Sequence, residues 1–191
     1  MPKVILASKA FFRKKMLEEN NIAFEIVVSN ADETSDSSKP FDEQLKDISL
    51  RKAKVVFEQT VNEGKRVIVA ADQNIVFNNI MYGKPQNLDE ARTFIKSMAG
   101  SDNIYSYVGN SLIYADGNNI INVINNCDIS RMRMDDISEE ELEDYLANNH
   151  PLSKCGGINI VDTKFLHLVE GKMSTASGMT IDYLQDLLSS F

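Results

Sequence analysis

Five consecutive apolar residues, Val67-Ile68-Val69-Ala70-Ala71, run directly into a carboxylate, Asp72. The run is short, unbroken and partly β-branched, which is the pattern of a strand covered on both faces. A chain with such a strand needs other elements to cover it, and that points to an α/β layer structure. The carboxylate that follows must find solvent or a cation, because an unpaired buried charge is costly. In open α/β sheets, ligands bind beyond the carboxyl ends of the strands. Further on come Asn78-Asn79, a turn signal between two apolar stretches, and then Lys84 in Gly83-Lys84-Pro85. A hairpin at Asn78-Asn79 would bring Lys84 back towards Asp72. A carboxylate and a lysine converging on one cleft suit a metal and a phosphate chain.

The rest of the chain alternates strands with helices. Strands are expected at 3–7, 24–28, 66–71, 105–115, 120–134 and about 163–169. Helices are expected at 9–20 with Ser8 as N-cap, at 41 to about 63 closed by Gly64, at 88–99, at 138–148 and at the C-terminus. Ser138 and Glu141 have capping-box spacing, and Asp116-Gly117 is a hairpin signal. Hairpins interrupt the alternation, so the sheet is expected to be mixed, with helices flanking it. With 191 residues, no repeat and no long linker, the chain is read as a single domain, 1–191.

Net charge is −8 and a quarter of the residues are charged, which argues against a broad nucleic-acid surface. No apolar run is long enough to span a membrane. The N-terminus has no signal-peptide layout, and Cys127 and Cys155 are read as free thiols, so a cytoplasmic protein is expected.

Several residues have two readings. Lys52 falls in the apolar stripe Leu45, Ile48, Ala53, Val56 of the second helix. It either lays its stem over the core or aims at an anion. Asp32-Glu33-Thr34 is either a solvated turn or the source of a carboxylate, Glu33, that helps Asp72 hold a divalent ion. Ser8, Arg13 and the neighbouring lysines are either an ordinary helix start or a phosphate site. Arg131-Met132-Arg133-Met134 reads as a strand with one solvated face.

Taken in order, these pieces resemble the Maf family of nucleotide pyrophosphatases along nearly the whole chain. The matching pieces are Leu6-Ala7-Ser8 with Arg13-Lys14, then Asp32-Glu33-Thr34, Lys52-Ala53, Ala71-Asp72 and Gly83-Lys84-Pro85. His150-Pro151-Leu152, Cys155-Gly156-Gly157, Gly171 and Gly178 follow. The resemblance implies a Maf/ITPase-like α/β fold, an elongated mixed sheet flanked by helices, with two lobes and a central cleft. It implies hydrolysis of a nucleoside triphosphate to the monophosphate and pyrophosphate with a divalent metal cation, Mg or Mn. Asp72 would activate water for attack on the α-phosphorus and share the metal with Glu33. Arg13, Lys52 and Lys84 would balance the triphosphate, and Ser8 would bind it. A homodimer and a link to septum formation come with the resemblance.

Base preference is also implied. The dTTP/UTP branch of the family follows the aspartate with Thr, whereas this chain has Gln73, as in the branch that resembles 7-methyl-GTP pyrophosphatase. Phe12 and Asp162 stand where that branch has an aromatic residue and an acid. An aromatic face suits a positively charged methylated guanine through a cation–π contact of roughly 0.5–2 kcal/mol. Phe12 equally fits a core contact with Met16, and Asp162 a surface turn. The alternatives are a pyrophosphatase for dTTP, UTP or another non-canonical nucleotide, and a non-catalytic nucleotide sensor that regulates division.

Overall fold

The computed structural model describes residues 1–191. Its elements are β1 (Lys3–Leu6), α1 (Phe11–Glu19), β2 (Glu25–Ile26), α2 (Phe41–Gln59), β3 (Arg66–Phe77), β4 (Ile80–Tyr82) and α3 (Leu88–Met98). These are followed by β5 (Ile104–Asp116), β6 (Asn119–Met134), α4 (Glu139–Asn148), three short 3-10 turns, β7 (Leu166–Glu170), α5 (Met173–Ser177) and α6 (Asp182–Ser189). The seven strands run in the order β2-β1-β3-β5-β6-β7, with β4 paired to β3. β1 is parallel to both β2 and β3, while β3–β4 and β6–β7 are antiparallel, so the sheet is mixed as expected.

The chain divides into two compact units. The first holds Met1–Asp72, Val108–Asp128 and Gly178–Phe191, and the second holds Gln73–Tyr107 and Ile129–Ser177.

In the first unit, residues on alternate sides of the strands enter different clusters, as the two-residue period of a strand requires. Val67, Val69 and Ala71 join Leu6, Met16 and Leu17 of α1 and Leu184 of α6. Ile68 and Ala70 join Ile5, Ala7 and the α2 residues Ala53 and Val56. Helices therefore cover both faces, which is why the 67–71 run is apolar throughout. α2 approaches β5 so closely that a Cβ at Gly109 would overlap the Leu45 carbonyl. Gly109→Ala is expected to cost about 3 kcal/mol through forced separation of helix and strand. The readout is a lower urea midpoint at unchanged slope.

The second unit has its own core, with Ile75 and Phe77 of β3, Ile95 and Met98 of α3, Met132 and Met134 of β6, and Leu142 and Leu146 of α4. The 131–134 segment alternates as read, with Met132 and Met134 buried and Arg133 exposed. Both cysteines are free thiols.

Three of the boundaries that differ from the sequence reading have a clear physical cause. Ser8 is not a helix cap. Its Oγ accepts the Ala10 N–H at 3.1 Å, a local turn that delays α1 to Phe11 and makes Ala10 the capping position. α2 stops at Gln59, before Gly64, because a fully buried guanidinium sits at its end. Arg66 donates to Thr60 Oγ1 and to the carbonyls of Glu63, Gly64 and Gly117, and lies 5.2 Å over the Phe57 ring. These bonds shape a turn where the helix would otherwise run on. Finally, β3 does not end at Ala71. It continues to Phe77 and turns at Asn78 and Asn79, whose φ values of 50° and 60° are those of a two-residue hairpin turn with both central residues left-handed.

Candidate active site

Three chain segments of the first unit leave the carboxyl ends of neighbouring parallel strands. β1 is in register with β3 from Lys3 opposite Arg66 to Leu6 opposite Val69, and the Ala7 N–H still donates to the Val69 carbonyl at 2.8 Å. Beyond that point β1 turns away at Ser8, and β3 carries Asp72 past the last paired residue. β2 ends at Ile26 and leads into the polar 27–40 loop that holds Glu33. Asp72 thus lies within a continuous strand, but at the level where its neighbour has ended.

Asp72 follows Ile68 and Ala70 on the face towards α2. Lys52 of α2 meets it there: Nζ lies 2.5 Å from Asp72 Oδ1 and 3.1 Å from Glu33 Oε2. The side chain of Lys52 is 10% exposed and that of Asp72 13%, while Glu33 is 59% exposed. Lys52 thus spans two environments. Its stem lies in the apolar stripe and its ammonium joins two carboxylates.

The loop that brings Glu33 is tied down on both sides of that residue. Arg51 donates to the Asp32 carbonyl at 2.5 Å and to the Thr34 carbonyl at 2.7 Å. Asp32 accepts the Thr34 N–H at 2.8 Å, and the Thr34 hydroxyl together with this N–H holds its carboxyl below the usual range. Asp32 is thus spent on the turn, leaving Glu33 as the carboxylate directed at Lys52. Sequence reasoning passed over Arg51, since a single arginine beside a lysine carries no pattern of its own.

Ser8 and Arg13 form a second group. Arg13 Nη1 donates to Ser8 Oγ at 3.2 Å, and Nε donates to the Gly178 carbonyl at 3.0 Å. Gly178 has φ 119°, open to glycine and strained for other residues. Lys14 and Lys15 pair with Glu18 and Glu19 one turn along α1, at 3.6 Å each, and so belong to the solvated face. Phe12 is half-buried, with its ring edge-on to the exposed Phe11 at 5.4 Å between centroids.

Gln73, Lys84 and Asp162 lie in the second unit. Gln73 donates to Ser106 Oγ at 2.8 Å and to the Ala176 carbonyl at 3.1 Å, and its own carbonyl accepts from Cys155 Sγ. Lys84 is exposed, in a turn anchored by the Gly156 N–H bonding the Gly83 carbonyl at 2.9 Å. The Asp162 carboxylate pairs with the buried Lys154, which also donates to the Asn149 carbonyl and the Tyr145 hydroxyl. Tyr145 bonds Asp162 as well, at 3.4 Å. Asp162 is therefore the counter-ion of a buried lysine, a partnership that sequence spacing did not reveal.

No three or more His, Cys, Asp and Glu side chains are grouped so that they alone could hold a metal ion. The oxygen donors that a metal would meet at this site are the two carboxylates at Lys52. One ammonium against two carboxylates leaves an excess negative charge, and two hard oxygen ligands beside a substrate phosphate suit Mg²⁺.

The chain belongs to the Maf-like protein family, whose model matches residues 3–191. A dTTP/UTP pyrophosphatase of Bacillus cereus is 28% identical to it, the alignment covering 100% of this chain and 96% of the relative. The dTTP/UTP pyrophosphatase of Clostridium perfringens is also 28% identical, with 99% and 97% covered. A solved nucleoside-triphosphatase / dITP/XTP pyrophosphatase from Mycobacterium abscessus overlaps 98% of this chain and 93% of its own, at 12% identity and a TM-score of 0.41, too distant a likeness to carry an argument. No helix is long and apolar enough to cross a membrane.

Proposed function

We propose that this protein is a nucleoside triphosphate pyrophosphatase, a hydrolase acting on acid anhydrides, with 1–191 working as one catalytic domain. The observation that carries this is the convergence of Asp72, Lys52 and Glu33 where β3 passes the end of β1. Asp72 is the general base. It takes a proton from water as the water oxygen attacks the α-phosphorus, and pyrophosphate departs. Lys52 orients Asp72 in the resting site and offers positive charge to the phosphates. Arg13, fixed by Ser8 and Gly178, is a second phosphate cation, and Lys84 is assigned as a third from the family resemblance. Glu33 and Asp72 would hold a Mg²⁺ or Mn²⁺ ion, which neutralises phosphate charge and polarises the phosphoryl oxygens when bound.

Within this class, 7-methyl-GTP is proposed as the preferred substrate, on the strength of Gln73 after Asp72 and of the aromatic pair Phe11 and Phe12. A second reading, dTTP or UTP, is favoured by the names of the relatives and by the engagement of Asp162 with Lys154. Pyrophosphate release from 7-methyl-GTP, GTP, dTTP, UTP and CTP, each with Mg²⁺ and Mn²⁺, separates them. A preference for 7-methyl-GTP supports the first reading, and a preference for dTTP or UTP replaces it with the second. Release from none of the five would sink the enzymatic proposal.

Arg51 supplies a further test, because it holds the carbonyls on either side of Glu33 without touching the proposed site. Arg51→Met is expected to lower kcat/KM roughly threefold to tenfold, the value of a charged hydrogen bond discounted for partial exposure. Raised metal concentration should recover part of that loss.

A further inference from the structure

A single asparagine interrupts an apolar row on β5. Val108, Leu112 and Tyr114 of that strand pack into the core they share with α1 and α6, and the two-residue period puts Asn110 on the same side. Asn110 is 1% exposed. A buried amide is costly unless its donors and its acceptor find partners. These do. Oδ1 accepts the Thr180 N–H at 2.9 Å, while Nδ2 lies 3.2 Å from Thr180 Oγ1, 3.0 Å from Asp128 Oδ2 and 3.1 Å from the Val108 carbonyl oxygen. A backbone N–H on one side and a carboxylate on the other leave the amide one orientation. Asp128 is held in turn, because its second oxygen accepts from the Tyr183 hydroxyl at 3.0 Å.

Thr180 lies two residues beyond Gly178, whose carbonyl accepts from Arg13 Nε at 3.0 Å. Met179, between them, is 1% exposed in the same core. The 178–180 segment is thus gripped at three successive residues, by Arg13, by the core and by Asn110. Given the phosphate-binding role proposed above for Arg13, we propose that Asn110 is a positioning residue for it. Asn110 fixes the Gly178 carbonyl, and through that carbonyl the plane of the guanidinium that meets the phosphates.

The plane matters because a guanidinium binds phosphate through a flat, fixed fork of donors, and a tilted fork loses one of its two bonds. Ser8 alone would not set it. The Ser8 hydroxyl meets Arg13 Nη1 at 3.2 Å and can rotate with the arginine. A backbone carbonyl tied to a buried amide clamp cannot follow in that way. Asn110 is itself closed off from solvent, so it acts on the phosphates only through the 178–180 segment.

Equilibrium binding of the α,β-methylene analogues of UTP and GTP to the full chain with Mg²⁺ tests this, since the bridge between the α- and β-phosphorus cannot be cleaved. Asn110→Ser should weaken binding of whichever analogue the wild type prefers by roughly tenfold, the worth of one lost hydrogen bond to a charged group. In an Arg13→Ala background the same change should cost less than about twofold, because the group it orients is gone. Ile113→Val, on the opposite face of β5, controls for stability: it should lower the urea midpoint and leave binding unchanged. Should Asn110→Ser not fold, Thr180→Val removes one of the two contacts with Asn110 and should give a smaller loss with the same dependence on Arg13. Equal losses with and without Arg13, no loss in either background, or a matching loss from Ile113→Val would each overturn the proposal, as would a wild type that binds neither analogue. Pyrophosphate release from the ordinary nucleotides is read separately on the same samples. Binding that is coupled to Arg13 without release keeps the positioning role and removes the hydrolase reading, while release without coupling does the opposite.

Discussion

Asp72→Asn is expected to remove turnover by a factor of about 10³ or more while nucleotide still binds. An amide keeps the size and can still accept a hydrogen bond from Lys52 at the 2.5 Å position. It cannot take a proton from water, and a positioned general base is worth about 10²–10⁴ in rate. It is also a poorer ligand for a hard cation, which deepens the loss. Calorimetric titration with a non-hydrolysable triphosphate analogue reads binding separately from catalysis. If pyrophosphate release survived the change, Asp72 would not be the base. If the wild type bound nucleotide and released nothing, the fold would be serving as a nucleotide sensor.

Asp162→Ala is expected to destabilise the protein by about 3 kcal/mol, the scale for removing one partner of a buried ion pair, here discounted for a carboxylate that is a quarter exposed. The Lys154 side chain is 4% exposed, and burial already pushes its ammonium below the usual lysine range. Without Asp162 it loses the carboxylate that faces it, while the Tyr145 hydroxyl and the Asn149 carbonyl stay in reach. Adding Lys154→Met should restore most of the lost stability, since the uncompensated charge leaves with it. A base-selecting Asp162 predicts the reverse pattern: stability nearly unchanged and KM raised for guanine nucleotides alone. Urea unfolding and nucleotide kinetics on the single and double variants decide between the two roles.

The parts of this protein that follow strong local rules could be read from the chain. The 67–71 run, the capping box at Ser138 and Glu141, the Asn78-Asn79 turn and the apolar stripe of α2 all appear where short-range chemistry puts them. Asp72, Lys52 and Glu33 each stand out in the sequence, and the fold places the Lys52 ammonium against both carboxylates. What escaped the sequence reading depends on distant partners. α2 ends early because Arg66 reaches the Gly117 carbonyl, 51 residues away in the chain. Lys154 and Asp162 are eight residues apart, but their burial follows from the packing of α4 and the 3-10 turns. Ser8 was misread as a cap because a serine before a basic, amphipathic segment usually is one. Here its hydroxyl is committed to Ala10 and Arg13 instead.

Asp72 and Gln73 are neighbours in the chain and lie on opposite sides of one strand. The aspartate turns to Lys52, and the glutamine turns to Ser106 and Ala176. A replacement at position 73 therefore changes a hydrogen-bonding surface without entering the charged cluster at position 72. An evolving lineage can try new residues at 73 while the pairing of Asp72 with Lys52 is left in place, and a protein engineer has the same freedom. Strand geometry makes the two positions separately adjustable, so the hydrogen bonds on one side can change while the ion pair on the other stays in place.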